Sequence, residues 1–150
     1  MNLVRLVYVS RFSGRTDVEA LQAILRTSRR NNPKNGLTGV LCYAPGLFLQ
    51  CLEGPRMAVN EMYHRIMNDP RNKAVTLLVY TDIDERIFEK WDMAYVRTDD
   101  LTTSVIMKYS SGVAFDPYAM NGAQALGFLR CLLHKKDQFQ QGTAKVGRAG

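Results

Sequence analysis

Two strand-like runs of this sequence are apolar on both of their sides. Residues 3–10 and 47–52 are rich in Val, Leu, Phe and Tyr, which favour strands. Because successive strand side chains point to opposite faces of a sheet, alternation puts Tyr8 and Gln50 on one face and aliphatic residues on the other. A bare apolar face would be an unusually large exposed patch. The chain must therefore cover its sheet on both sides.

The order of the predicted elements narrows the fold to one class. Thr16 and Glu19 form a capping box at the start of a predicted helix, and Gly54-Pro55 opens a second helix with proline in its first turn. The predicted elements are, in chain order, a strand at 3–10, a helix at 17–30, a hairpin of strands at 37–43 and 47–52, a helix ending at Asp69-Pro70, and strands at 75–81 and 93–97. This order predicts an α+β fold with a ferredoxin-like βαββαββ sheet. Right-handed crossovers place both helices on one face.

The C-terminal third of the chain supplies a cover for the other face. Residues 100–109 and 121–134 carry many apolar side chains, and we expect them to form two C-terminal helices that cap that face. We therefore predict a core domain over residues 1–97, a helical cap over 98–137 and a disordered tail over 138–150, where apolar groups are few.

Composition and charge argue against several classes of protein. The net charge of +6 is dispersed among acidic residues and a basic C-terminal end, which favours a solvated surface over a nucleic-acid partner. Three cysteines without C-x-x-C spacing and two distant histidines, His64 and His134, predict reduced thiols and no metal site. The sequence has no apolar run of about 18 residues and no recognisable signal peptide, so we expect a cytoplasmic protein without a membrane partner.

Polar residues interrupt the apolar pattern of the strands. Gln50 stands between Phe48 and Leu52 in a strand expected at the centre of the sheet, and Tyr8 lies on the equivalent face of the first strand. A buried amide and a buried hydroxyl both need hydrogen-bond partners. Taken alone, these residues are explained more simply by a core Tyr–Gln hydrogen bond than by a ligand site.

Two further pairs are equally ambiguous when read alone. Asn31 and Asn32 follow the first predicted helix, where asparagines commonly cap a helix and begin a turn. Trp91 and Met93 precede or begin the fifth strand, where core packing is more common than a role in a switch. The residues by themselves therefore leave the function open.

The four segments that carry these residues together resemble the BLUF family of flavin-binding blue-light sensors. They are L-V-Y-V-S with Tyr8, S-R-R-N-N-P-K-N-G-L-T-G-V-L with Ser28 and Asn32, F-L-Q-C-L-E-G with Gln50, and F-E-K-W-D-M with Trp91 and Met93. The resemblance covers residues 3–97, and the order and spacing of its motifs are highly specific. The region beyond residue 100 is more loosely similar to the short, single-domain members of the PixD type.

The resemblance implies a blue-light photoreceptor that holds FAD or FMN non-covalently between its two helices. In such a protein Tyr8 gives an electron and a proton to the excited flavin. Gln50 bridges Tyr8 and the flavin and rearranges its hydrogen bonds, with Ser28 supporting it. Trp91 and Met93 then relay the signal.

The same resemblance implies a set of cofactor-binding residues and a mode of signalling. Besides Gln50, the implied binding residues are Ile24 and Ile66 against the ring, Asn31 and Asn32 at its polar edge, and Arg65, Asp69 and Arg71 near the ribityl and phosphate part. The resemblance also implies a sensor that is not an enzyme, that forms a homo-oligomer and that signals to a partner protein in trans.

Two functions of other classes stay open as alternatives. An acylphosphatase-like hydrolase would need a glycine-rich phosphate-binding loop, and residues 10–15 resemble such a loop only weakly. An RNA-binding module would need paired aromatic residues on an open sheet face, whereas the second face here is aliphatic.

Overall fold

Five strands and three α-helices make up the described part of the chain, which in this computed structural model comprises residues 2–15, 30, 34–90, 93–98 and 103–142. The strands are β1 (Leu3–Phe12), β2 (Thr38–Ala44), β3 (Leu47–Pro55), β4 (Asn72–Ile83) and β5 (Ala94–Arg97). The helices are α1 (Arg56–Asn68), α2 (Thr103–Tyr109) and α3 (Gly122–Gly142), with a short 3-10 turn at Pro117–Ala119. None of the described helices is long and apolar enough to cross a membrane.

The strands form one sheet in the order β4-β1-β3-β2-β5, with β3 at its centre. Pro45 and Gly46 turn β2 back into β3, and Gly46 has a φ of +74°, which glycine adopts at little cost. β3 pairs antiparallel with β1 and β2, β4 pairs antiparallel with β1, and β5 pairs parallel with β2. This mixed sheet with its helices confirms the predicted α+β, ferredoxin-like fold.

One face of the sheet, which we call the α1 face, packs against α1. Its buried apolar side chains from the strands and their ends are Val4, Leu6, Tyr8, Phe12, Leu41, Tyr43, Phe48, Leu52 and Met93. From α1, Val59 is fully buried among them, and Met62, Tyr63 and Ile66 are partly buried against them. These four residues follow the i, i+3, i+4, i+7 spacing that places side chains on one side of a helix, and this side of α1 faces the sheet.

The opposite face, which we call the cap face, is covered by α2 and α3. Its buried strand residues are Val7, Val9, Val40, Cys42, Leu49, Cys51, Ala94 and Val96, and the helices bury Val105, Ile106, Ala125, Phe128, Leu129 and Leu132 against them. The expectation that two C-terminal helices cap this face is therefore confirmed. Both faces of the described sheet are covered, which leaves no open face there of the kind that an RNA-binding module uses.

Several element boundaries differ from the predicted ones. β1 extends to Phe12 and β4 starts at Asn72, because these two residues pair with each other at the end of the β1–β4 ladder. β3 continues through Pro55, so α1 begins one residue later than predicted. The helix predicted at 17–30 lies outside the described residues except for Arg30. α3 ends at Gly142 and so includes the first residues of the segment predicted as a tail.

Candidate functional site

The register between β1 and β3 places Tyr8 directly opposite Gln50. The Tyr8 hydroxyl donates a hydrogen bond to Gln50 Oε1 at 2.5 Å, which is short for an O–H···O contact. Gln50 Nε2 in turn donates to Met93 Sδ at 3.3 Å. All three side chains are buried. The fold thus joins three of the sequence-predicted site residues in one hydrogen-bonded row that leads from β1 through β3 to the residue before β5.

Burial sets the acid–base behaviour of Tyr8. It raises the pKa of the phenol far above its ordinary value of 10.0, and electrostatic interactions with Tyr63 and Asp69 raise this pKa further. Tyr8 is therefore a neutral hydrogen-bond donor at physiological pH. A phenol that loses an electron becomes a strong acid, so the proton of Tyr8 can leave only together with, or after, an electron.

The side-chain amide of Gln50 has partners of unequal strength. Its oxygen accepts from a phenol, whereas its nitrogen donates to a thioether, and thioether sulfur is a weak acceptor. Rotation of the amide by half a turn about its Cγ–Cδ bond exchanges the positions of Oε1 and Nε2. A stronger acceptor beside the amide nitrogen would therefore change the relative stability of the two arrangements. The carbonyl and ring-nitrogen acceptors of a flavin fit this donor.

Helix α1 forms one wall beside the Tyr8–Gln50 pair. The ring of Tyr63 lies 5.9 Å from that of Tyr8, measured between centroids, at an interplanar angle of 53°. Ile66 packs against the same buried cluster as Tyr8. These apolar contacts exclude water from the phenol, which accounts for its raised pKa and suits a planar aromatic ligand.

The turn from α1 into β4 carries a charged pair. Arg71 Nη2 lies 2.7 Å from Asp69 Oδ2, and Arg71 Nε donates to Asp69 Oδ1 at 3.0 Å. The hydrogen bonds from Arg71 hold the pKa of Asp69 below its ordinary range. The Arg71 guanidinium also lies 5.3 Å from the centroid of the Phe12 ring. Asp69 and Arg71 therefore form one polar unit, and Arg65 is exposed one helical turn before Asp69.

The predicted site residues divide into two groups. Tyr8, Gln50 and Met93 are brought together, and Arg65, Ile66, Asp69 and Arg71 follow one another along the end of α1 and the turn after it. The rest of the predicted set lies outside the described residues, namely Ile24, Ser28, Asn31, Asn32 and Trp91. Among the described residues, no group of three or more His, Cys, Asp or Glu side chains could hold a metal ion.

Sequence reasoning missed two features near this site. Tyr63 is one of the apolar positions spaced along α1, and nothing local to the sequence indicates that its ring lies beside Tyr8. Arg5 and Glu53 form a buried ion pair with an Nη2–Oε2 distance of 2.7 Å. A signal for this pair exists in the sequence, since one charge, Arg5, interrupts the first predicted strand and an opposite charge, Glu53, directly follows the strand predicted at 47–52.

Comparison with known proteins gives a consistent result. The family model described as "BLUF: Sensors of blue-light using FAD" matches residues 3–94. A curated relative, the photoactivated adenylate cyclase subunit beta-like protein FB of Euglena gracilis, is 35% identical over 102 residues. The aligned part covers 67% of this chain and 12% of that protein, so the chain spans about an eighth of the length of this relative.

Solved structures agree in fold over most of the chain. The BlsA ground state matches with a TM-score of 0.77 and 33% identity, and the alignment covers 87% of each chain. The dark state of BlrB, described as a BLUF protein, matches with a TM-score of 0.75 and 29% identity over 90% of this chain and 97% of that one. The likeness therefore extends beyond residues 3–94 into the C-terminal helices.

Proposed function

The chain belongs to the BLUF family of blue-light sensors that use FAD, and on this premise we propose that it is a photoreceptor in which Tyr8 and Gln50 form a light-driven hydrogen-bond switch. The observation that carries the proposal is the short hydrogen bond from the Tyr8 hydroxyl to Gln50 Oε1 inside a buried, apolar setting. The amide nitrogen of Gln50 donates to the thioether of Met93, which is a weak acceptor, so a stronger acceptor such as a flavin carbonyl beside this nitrogen would be favourable.

The proposed photocycle begins at Tyr8. A bound flavin supplies the absorption of blue light and a one-electron acceptor. Tyr8 would give up one electron to that acceptor and pass its proton along the existing hydrogen bond to Gln50 Oε1, while Gln50 Nε2 would release a proton to the flavin, so that the amide stays neutral. The amide then changes the end that it presents to Tyr8. On return, the electron and the proton go back to Tyr8, so no bond is lost and nothing is consumed.

Residues of α1 and of the turn that follows it would hold one side of the cofactor. Ile66, which packs against the cluster around Tyr8, would contact the ring from the α1 side. Ile24, Asn31 and Asn32 are assigned to the other wall from the family motif alone. Arg65, Asp69 and Arg71 would reach the ribityl and phosphate part, and the Asp69–Arg71 pair orients one guanidinium for that purpose. The cofactor is FAD, as in the family description, or the shorter FMN, which would use the same ring contacts.

The proposed output passes through Met93 into β5. Met93 accepts from Gln50, and β5 begins at the next residue and pairs with β2. A reversed Gln50 amide would present its oxygen to the Met93 sulfur and lose this hydrogen bond. Ser28 and Trp91, assigned from the family motif, would support and relay the change. We propose that the change, passed from Met93 into β5 at the edge of the sheet, reaches a partner protein in trans.

An absorption spectrum before and after blue light tests the proposed function. Purified protein reconstituted with FAD should show a flavin spectrum that shifts slightly to the red on illumination and recovers in the dark. Tyr8→Phe should keep the flavin and abolish the reversible shift, because the electron and proton donor is gone.

The matched control for Tyr8→Phe is Tyr63→Phe, which removes a phenol hydroxyl from the neighbouring ring. It should retain the cycle. A protein that binds flavin without any photoreaction would overturn the proposal. If Tyr63→Phe stopped the cycle and Tyr8→Phe did not, the donor would have to be reassigned to Tyr63.

A further inference from the structure

Glu53 is a fully buried carboxylate three positions beyond Gln50 on β3. Strand alternation puts it on the cap face with Leu49 and Cys51. Its Oε2 accepts from Arg5 Nε at 2.8 Å and lies 2.7 Å from Arg5 Nη2, across the register that pairs the two residues. The Arg5 guanidinium therefore compensates the charge of Glu53 in a buried position.

The same carboxylate also holds the chain between β4 and β5. Glu53 Oε1 accepts from the backbone N–H of Phe88 at 2.7 Å, and its two oxygens lie 3.0 and 3.1 Å from the N–H of Ile87. Arg86 Nη1 donates to Thr38 Oγ1 at 3.0 Å, which ties the same segment to β2. The Phe88 ring is fully buried in the cap-face core. Residues 86–88 are thus bound at several points to the central strands.

Strand β3 therefore contacts the β4–β5 connection on both of its faces. On the α1 face Gln50 donates to Met93, and on the cap face Glu53 accepts from Phe88, five positions earlier in the chain. A buried ion pair is a poor source of stability, because apolar residues of similar size commonly serve as well. The two backbone amides explain what a carboxylate achieves here that an apolar side chain cannot.

We propose that Glu53 is a positioning residue for the switch: by fixing the backbone at Ile87 and Phe88, it sets where Met93 meets Gln50. This inference rests on the proposed function for its light-dependent part and on the geometry alone for its dark part. By strand alternation Glu53 lies on the cap face, opposite the face that holds Tyr8 and Gln50. It acts through the segment that leads to Met93.

Two double variants separate the clamp, by which we mean the hydrogen bonds that the Ile87 and Phe88 amides donate to Glu53, from the Arg5–Glu53 ion pair. Both carry Arg5→Met, so neither leaves a buried guanidinium without its partner. One adds Glu53→Gln, whose amide oxygen still accepts from Ile87 and Phe88, and the other adds Glu53→Met, which has no such acceptor. The measurements on cofactor-free protein are amide hydrogen exchange at Ile87 and Phe88 and the methyl resonance of Met93, assigned by its loss in Met93→Leu.

The Glu53→Met protein should exchange these two amides about tenfold or more faster than the Glu53→Gln protein, since it has lost the hydrogen bonds that close them. Its Met93 methyl resonance should also move away from the position that the parent and the Glu53→Gln protein share. With flavin bound, the lifetime of the light-shifted spectrum should change in the Glu53→Met protein alone, while the dark spectrum and flavin binding stay the same.

Equal exchange in the two variants, or an unmoved Met93 resonance, would overturn the inference. If the Glu53→Met protein does not fold, hydrogen exchange of the unsubstituted protein tests the inference. Its Ile87 and Phe88 amides should exchange as slowly as the amides of β3, and fast exchange at these two positions would refute the clamp. If the parent shows no light-induced shift, the proposed function fails, and the dark measurements still decide whether Glu53 positions Met93.

Discussion

The two faces of β3 bury different kinds of side chain. On the cap face Leu49 and Cys51 are fully buried among apolar residues of the sheet and of α3. On the α1 face the same strand buries Gln50, whose amide requires hydrogen-bond partners. Burial of an apolar side chain is favourable by itself, whereas burial of a polar one only avoids a loss when its partners are present.

Under the proposed function, stability and chemistry lie on opposite faces of β3. A side chain that must rearrange needs alternatives of nearly equal energy, and a close-packed aliphatic core offers none. The cap face can therefore hold the sheet rigid while Tyr8 and Gln50 exchange hydrogen bonds on the other side. The predictions below test this separation.

The largest expected effect is a loss of stability from Phe128→Ala on the cap face. Phe128 is fully buried in α3 between the rings of Tyr109 and Phe115. Its truncation should lower the free energy of unfolding by about 3–5 kcal/mol, from lost burial and the cavity left behind. Urea denaturation of cofactor-free protein measures this. Met107→Ala, at an exposed position of α2, is the control and should stay within about 0.5 kcal/mol of the parent.

The size of the light-induced shift should be unchanged in the folded fraction of the Phe128→Ala protein. A stability loss below about 1 kcal/mol would contradict the assignment of stability to the cap face, since a buried Phe truncation costs several times more.

A double-mutant cycle on the α1 face should show a smaller and conditional effect. Gln50→Leu leaves the buried Tyr8 hydroxyl without its acceptor and should cost about 1–3 kcal/mol. Tyr8→Phe combined with Gln50→Leu removes both polar groups and should be close to neutral, because apolar groups of similar shape need no partner. The measurement is urea denaturation of cofactor-free protein. A double variant that is as unstable as the sum of the single variants would show that the polar pair contributes to stability itself.

Alkaline pH should destabilise the protein through the buried thiols of the cap face. Burial raises the pKa of Cys42 and of Cys51 above the ordinary value of 9.0, so the folded protein keeps protons that the unfolded chain loses. Stability is therefore fully present below pH 9 and falls as the pH rises above it, by about 1 kcal/mol per thiol for the first pH unit. Denaturation midpoints between pH 8 and pH 10 (about two units around the thiol pKa) measure the slope.

Replacement of both buried cysteines by alanine should flatten this slope, at the cost of a lower stability at neutral pH. Cys131→Ala removes a partly buried thiol from α3 and is the matched control. An unchanged slope in the double variant would mean that other groups cause the alkaline loss.

The smallest expected effect on stability is at Ala74 in β4, an edge strand of the sheet. Ala74 in β4 has a φ of +51°, near an irregularity in the β1–β4 ladder, and its carbonyl accepts from the Tyr118 hydroxyl at 2.8 Å. The left-handed conformation costs a non-glycine residue roughly 1–2 kcal/mol, so Ala74→Gly should stabilise the protein by about 0.5–1 kcal/mol after the entropic cost of glycine.

Ala58→Gly in the first turn of α1 is the control and should destabilise the protein by about 0.5–1 kcal/mol, as glycine does in place of alanine in a helix. Thermal denaturation compares the two variants. A destabilised Ala74→Gly protein would indicate that the contact with Tyr118 depends on the alanine at this position.

The sequence by itself determined the fold class, the two apolar faces and the placement of Tyr8 and Gln50 on one of them. These features follow from local rules, since strand alternation, helix caps and turn residues act over a few neighbouring positions. The roles of Ile24, Ser28, Asn31, Asn32 and Trp91 stay predictions, because these residues lie outside the described part of the chain.

Only the tertiary structure decided which distant groups meet. Tyr8 and Gln50 are 42 positions apart, and Glu53 reaches the N–H of Phe88 across 35 positions. No periodic pattern in the sequence predicts the contact between Tyr63 and Tyr8 or the clamp at Glu53, because each depends on how whole elements pack. Side-chain direction along one strand is a local property of the backbone, whereas a contact between two elements depends on the pairing register of the sheet and on the packing of its helices.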